Sequence, residues 1–273
     1  MDKQLLDAFL HTYKFEDTSR QDTNLHVSDL VDCFCPRKYA LCIKNNTPFH
    51  VKKWLSVAQS FTFEIGRAFQ SIVVSRYKKA GILIGTWRCL SCGRKYFGIG
   101  DKCPNCSRED LLKYEDTTLV LDKYGVDVVG NVDILAVRPP NEIVAVEVKS
   151  IKPDSFDTLT EPELMHTRQI SLYLWLLKTG AKIACKHSNI NIADYKFNTS
   201  SGVVKYCSKT YKQMPFKTFK VTPNPQLLAE VESKLRIVKK FTKDGKIPKA
   251  ICTSKSNLMA RNCSCRDTCF TKA

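Results

Sequence analysis

Ile143 to Val148 reads IVAVEV and would be apolar on both faces of an extended strand, were it not for Glu147. A short run of this kind suits the centre of a sheet covered on both sides, which asks for helices on both faces. Period-2 geometry then sets Glu147 and Lys149 on one face and Val148 on the other. By itself Glu-x-Lys at a strand end says little, since a charged pair at a sheet edge is common; the surrounding residues give it weight.

The flanking segments fit an α/β chain with a mixed central sheet flanked by helices. Residues 117 to 138 alternate as strands about a turn at Lys123 to Gly125. Phe61, Ile65, Phe69, Ile72 and Val73 recur at helical spacing within residues 55 to 80. A further helix is expected at about 161 to 179, from the helix-starting TEPE to the stop at Gly180, and another at about 225 to 241. Mixed strands are expected at about 182 to 221. Residues 1 to 50 read as mostly helical, with Ser28 as N-cap of the segment that holds Cys33 and Cys35. No glycine-rich phosphate loop followed by Lys and Ser or Thr is present, so ATP-driven chemistry is not indicated.

Asp133 closes VDVVGNVD, and thirteen residues separate it from Glu147. If the two strands pair, Asp133 and Glu147 converge on one divalent ion, with the Val148 carbonyl as a third oxygen. Such hard ligands suit Mg or Mn. A metal held there lowers the pKa of a bound water and stabilises charge on a phosphodiester, and Lys149 can orient the water or the phosphate.

The thirteen cysteines fall in two main sets. Cys89-x-x-Cys92 and Cys103-x-x-Cys106 read as two knuckles of a zinc ribbon inserted at about 86 to 110. Arg88, Arg94, Lys95 and Lys102 with Trp87, Tyr96 and Phe97 give it a DNA-contacting character, and a purely structural role is an equal reading. Cys33 and Cys35 near the start, with Cys252, Cys263, Cys265 and Cys269 near the end, form the second set. Cys42, Cys185 and Cys207 read as small buried apolar residues.

No apolar run spans a membrane, and the start MDKQLLDAFLHTYKFEDTSRQD lacks the features of a signal peptide. The expectation is a cytoplasmic protein, in the host cytoplasm if viral, where thiols stay reduced and metal ligation outranks disulfides. The formal charge of +16 favours a polyanionic partner, a Lys-rich surface kept for solubility being the alternative.

In Gly130-x-x-Asp133, Glu147-x-Lys149 and Gln169-x-x-x-Tyr173 the chain resembles the RecB-type branch of the PD-(D/E)XK nucleases. That branch includes the AddB nuclease and the CRISPR-associated iron-sulfur exonucleases, also found in phages. The resemblance implies a restriction-endonuclease-like core over residues 1 to 273 and Mg- or Mn-dependent cleavage of DNA, as an exonuclease on single-stranded or end-opened DNA. It implies that Gln169 and Tyr173, on one face of a helix, position the nucleic-acid backbone. Where the family places a metal-binding histidine after Gly-x-x-x, this chain has Gly66-Arg67-Ala68-Phe69-Gln70, so Gln70 would offer a carbonyl oxygen instead.

The resemblance also implies a 4Fe-4S cluster that clasps the chain ends. Cys35-Pro36-Arg37-Lys38 fits the family's N-terminal string, and the five-residue gap from Cys263 to Cys269 fits its close. Cys252 is then the remaining ligand, although ten residues separate it from Cys263 where the family commonly has two. Cys265 competes with Cys252, Cys33 with Cys35, and a second zinc or no metal are the other readings of this set. The Lys-rich tail, 247 to 273, has too little apolar surface to order without a ligand. DNA is the expected partner, with recombination or repair proteins beside it. A structure-specific endonuclease and a non-catalytic DNA-binding adaptor are the competing functions.

Overall fold

The computed structural model describes residues 23–31, 34–47, 49, 55–210, 213–261 and 263–270. In chain order the elements are β1 (Leu25–His26), α1 (Val27–Val31), α2 (Pro36–Lys44), α3 (Val57–Lys79), β2 (Leu83–Cys89), β3 (Lys95–Ile99) and β4 (Leu112–Glu115). There follow β5 (Thr117–Leu121), β6 (Val128–Val132), β7 (Ile134–Arg138), β8 (Glu142–Ile151), α4 (Pro153–Thr158) and α5 (Leu164–Thr179). The chain continues with β9 (Lys182–Ile183), β10 (Lys196–Phe197), β11 (Gly202–Ser208), β12 (Phe216–Val221), α6 (Pro225–Asp244), α7 (Leu258–Arg261) and α8 (Arg266–Phe270).

The strands build two sheets, a correction to the expected single one. The larger runs β12-β11-β8-β7-β2-β3, with β10 on β8 and β4 on β2, and the smaller runs β1-β6-β5-β9. Pairing is mixed: β8 is parallel to β11 and antiparallel to β7. The chain passes from one sheet to the other between β6 and β7, and Asp133 is the residue at that passage.

Strand β8 follows the alternation expected of it. Ile143, Ala145 and Ile151 pack in the cluster that holds Ile170, Leu172 and Tyr173 of α5. Val146 and Val148 pack in the other, with Val73 of α3. Glu147 and Lys149 belong to the odd series, so they face the α5 side. Helix α5 is buried at every position from Ile170 to Leu176, as a helix enclosed by sheet and neighbours must be. It ends at Gly180, whose φ of 90° only glycine adopts freely.

Several local expectations change. Ser28 lies inside α1 rather than ahead of it; the cap of α2 is Cys35, whose side chain accepts the Lys38 N–H. The described part of residues 1 to 50 also includes strand β1, and its helices are short. Within the stretch from TEPE the helix begins only at Leu164, after Glu163 as its N-cap in non-helical backbone. In the four-cysteine segment Cys89 ends β2, and β2 to β4 pair within the larger sheet. Cys185 is half-exposed rather than buried, unlike Cys42 and Cys207. No helix among the described residues is long and apolar enough to cross a membrane.

Candidate active site

The β7–β8 ladder pairs Ile134 with Val146 and Leu135 with Ala145. One step further along the same register sets Asp133 opposite Glu147. Asp133 Oδ2 accepts the Val148 backbone N–H at 2.8 Å, which fixes the junction residue to the strand. Glu147 is 1% exposed, and its Oε1 lies 2.6 Å from Lys149 Nζ. Among the described residues its Oε2 has no hydrogen-bond partner. Burial and the neighbouring Glu147 charge push the Asp133 carboxyl well above the usual range, against the Val148 N–H. Burial also raises Glu147, which the Lys149 ammonium and the Gln169 amide oppose. Two carboxylates that resist sharing a buried space, one with an orphan oxygen, form an arrangement that a cation could relieve.

Helix α5 closes the site from the side. Tyr173 is 2% exposed, and its hydroxyl donates to the Asn131 carbonyl at 2.6 Å. Gln169 Nε2 donates to the Tyr173 oxygen at 2.8 Å. The helix can come so close because of Gly130: a Cβ there would lie 2.8 Å from Leu176 Cδ1 and 3.1 Å from Tyr173 Cδ1. The glycine of Gly130-x-x-Asp133 is thus a packing requirement. It lets Tyr173 hold the strand two residues before the aspartate.

Two neighbours of the site carry no sequence motif. Asp116 sits between β4 and β5, and its charge raises both Asp133 and Glu147. Gln70, on α3, donates its amide Nε2–H to Asp116 Oδ1 at 2.7 Å. His166 lies one turn before Gln169 on α5, 2.7 Å from the Tyr206 hydroxyl through Nδ1. Burial, then the Lys149 charge, hold its pKa down at about 4. Its i, i+3 spacing to Gln169 was the available signal; Asp116 offered only a polar break between two strand-like runs.

The family model of the PD-(D/E)XK nuclease superfamily matches residues 60–270. The chain belongs to the PD-(D/E)XK nuclease superfamily. Among solved structures it is similar to SSO0001, at 14% identity and TM-score 0.41, over 99% of this chain and 95% of that one. An alkaline exonuclease from Laribacter hongkongensis, LHK-Exo, is similar at 9% identity and TM-score 0.44, over 88% of this chain and 93% of that one. The same exonuclease in complex with dAMP is similar at 10% identity and TM-score 0.42, over 82% and 90%. No curated protein matches the chain.

This PD-(D/E)XK chain has two further groups of thiols. The sulfurs of Cys89, Cys92, Cys103 and Cys106 all lie within 4.8 Å of one another, an arrangement able to hold a metal ion. Cys89 Sγ is 3.6 Å from Cys106 Sγ, and Cys92 Sγ is 3.6 Å from Cys103 Sγ. Separately, Cys35, Cys252, Cys263, Cys265 and Cys269 line a cavity of about 480 Å³ between α2 and the tail. Arg37 ties the two together: Nε reaches Cys269 Sγ at 3.2 Å, Nη1 the Pro248 carbonyl at 2.7 Å and Nη2 the Cys269 carbonyl at 3.1 Å. Cys265 is buried, with its sulfur 3.4 Å from that of Cys42. Cys33 lies outside the described residues.

Proposed function

We propose that the chain is a Mg- or Mn-dependent deoxyribonuclease that hydrolyses phosphodiester bonds from the ends of DNA. The observation that carries this reading is the juxtaposition of Asp133, held to the Val148 N–H at 2.8 Å, with Glu147, whose Oε2 is unpartnered among the described residues and whose Oε1 lies 2.6 Å from Lys149 Nζ. Asp133 and Glu147 would hold the ion, and the Val148 carbonyl and Gln70 are the further oxygen donors the sequence offers. When bound, the ion supplies charge stabilisation and an acidified water.

The protein's own groups do the rest. Lys149 opposes the rise that burial causes at Glu147 and is a quarter exposed, so its ammonium can also meet a phosphate oxygen. Tyr173 spends its hydroxyl proton on Asn131, and thereby acts as a positioning residue for Asp133. Gln169 adds a second donor on the same side of the site, available to the nucleic-acid backbone when it lets go of Tyr173.

The two thiol groups fit two different cofactors. A tetrahedral zinc with Zn–S bonds of about 2.3 Å separates sulfurs by about 3.8 Å, close to the 3.6 Å pairs of the knuckles. We assign zinc to Cys89, Cys92, Cys103 and Cys106. The wider cavity, with Cys35, Cys252, Cys263 and Cys269 on its walls and Arg37, Lys38 and Arg266 beside them, suits an anionic 4Fe-4S cluster. Cys265 is turned to Cys42 and is left out of the ligand set.

Cleavage of end-labelled linear DNA and of covalently closed circular DNA, with and without Mg or Mn, tests the function. Metal-dependent loss of the linear substrate alone is expected. Cutting of the closed circle would establish an endonuclease, and inertness toward both would leave a binding adaptor.

A further inference from the structure

We propose that Cys42 and Cys265 are an oxidisable dithiol that hydrogen peroxide closes to a disulfide, clasping the C-terminal tail to α2 independently of the nuclease reading and of any metal in the neighbouring cavity.

The tail docks through very little surface. Of the described residues from 247 to 270 only Ala260 and Cys265 are buried, while Ile251, Leu258 and Met259 are exposed. Cys265 enters a small cluster with Leu41 and Cys42 of α2, against which Phe49, Ile247, Cys263 and Cys269 pack. The seat of the tail is therefore the thiol pair itself.

The two sulfurs are already in contact. Cys42 Sγ and Cys265 Sγ are 3.4 Å apart, although the two positions are 223 apart along the chain. A disulfide brings its sulfurs to about 2.05 Å, so closure asks for an approach of less than about 1.5 Å. Cys42 is fixed within α2, and the Cys265 carbonyl accepts the Cys269 N–H at 2.8 Å, so both thiols are presented by ordered backbone. Cys265 also lines the cavity of about 480 Å³, which gives a molecule as small as hydrogen peroxide a way to its sulfur.

The chemistry needs no other reagent. A thiolate is the nucleophile, and an S–H shared between two sulfurs stabilises one negative charge on the pair. Either sulfur can be the donor, so the remaining proton can sit on Cys42 while the cavity-facing Cys265 carries the charge. The Cys265 sulfur attacks one peroxide oxygen, the O–O bond breaks, and hydroxide leaves and takes back the proton that the pair gave up on ionising. The resulting sulfenic acid is attacked by the Cys42 sulfur; its S–O bond breaks, and the Cys42 proton leaves with the oxygen as a second water. Two thiols and one peroxide thus give one disulfide and two waters.

The new bond would join α2, which starts after Cys35, to the tail between Cys263 and Cys269. Both walls of the thiol cavity then stay together when an oxidant strips the metal from it. Thiol exchange reopens the bond, as suits a disulfide that forms only transiently where thiols are kept reduced.

Peptide mapping without reductant tests this on the full chain, purified without oxygen, treated with hydrogen peroxide and then alkylated under denaturing conditions. Cys42 linked to Cys265 is expected as the principal cross-link, removable by dithiothreitol. Fragmentation of the linked peptides is needed, since Cys263 and Cys265 share the tryptic peptide that ends at Arg266. After a chelator has removed metal from the oxidised chain, the tail should still resist protease, and dithiothreitol should then expose it. Cys42→Ser should lose the cross-link and this resistance while keeping the metal content of the unsubstituted protein. Should that variant fail to fold, the map of the unsubstituted chain decides. Recovery of Cys42 and Cys265 as alkylated thiols while other thiols have oxidised, or a link from Cys265 to Cys263 or Cys269 instead, overturns the pair. A Cys42–Cys265 link that leaves the metal-free tail as sensitive to protease as in the reduced chain overturns the clasp.

Discussion

Asp133 and Val148 are joined by a 2.8 Å hydrogen bond from the Val148 N–H to Asp133 Oδ2, which locks the residue between the two sheets onto the strand that carries Glu147 and Lys149. The carboxylate is therefore held in place before any ion arrives. Preorganisation of this kind is what a hydrolytic site needs, since the groups around developing charge then do not have to reorganise.

Asp133→Asn keeps an acceptor for Val148 but removes the charge. Cleavage is expected to fall by at least about 10²-fold, with DNA binding largely kept. Lys149→Met should also cleave slowly, and it should destabilise the fold by leaving Glu147 without its counter-charge. The loss should stay below the about 3–5 kcal/mol of a fully buried broken pair, because Lys149 is partly exposed. Adding Glu147→Gln should restore much of the stability but none of the activity. Urea unfolding beside single-turnover assays checks each part, and undiminished turnover in Asp133→Asn would sink the site.

Gly130→Ala places a methyl within 3.1 Å of Leu176, Val27 and Tyr173. Overpacking of this kind costs about 1–3 kcal/mol, and relief by outward movement of α5 would loosen the Tyr173 bond to Asn131. Activity should drop more than stability alone explains. Gly130→Ala with Leu176→Ala, which opens space for the methyl, should recover activity in part. A Gly130→Ala protein with unchanged unfolding and turnover would show that the close approach is unimportant.

The two thiol groups should separate by elemental analysis. Cys89→Ser with Cys92→Ser is expected to lose one zinc and keep iron. Cys35→Ala should lose the iron and its visible absorption in protein purified without oxygen, and the tail should become sensitive to protease, since ligation orders it. Arg37→Ala should weaken the same clasp through its three bonds to Pro248 and Cys269, without removing a ligand. Cys265→Ala should keep the colour. An iron-free, colourless protein with two zinc ions would assign zinc to both groups.

His166 gives a pH dependence with a definite sign. Burial and Lys149 hold its folded pKa near 4, below the ordinary 6.5, although Glu163 Oε2 lies 3.6 Å from its Nδ1 and Tyr206 is its hydrogen-bond partner. The unfolded chain therefore takes up a proton as pH falls through about 6.5, while the folded chain resists until about 4. Stability should decline across that window, with no further loss from this group below it. His166→Gln should flatten the decline in thermal unfolding between pH 6.5 and pH 4. An identical slope in both proteins would show that other groups set it.

What the sequence determined by itself is local and periodic. The run Ile143 to Val148 defined a buried strand, because period-2 alternation leaves one face for each core and sends Glu147 with Lys149 to the same side. The spacing of Cys89, Cys92, Cys103 and Cys106 defined a tetrad, and Gly180 defined the end of α5, because both depend on residues close along the chain. The tertiary structure alone decided the rest. The expected single sheet is two, and the break falls at Asp133, so Asp116 becomes its neighbour only through a ladder that no local pattern encodes. In the same way Tyr173 reaches Asn131 and Cys265 reaches Cys42 across 42 and 223 residues. Periodicity tells which face of an element is buried; which distant residue meets that face is settled only when the elements pack.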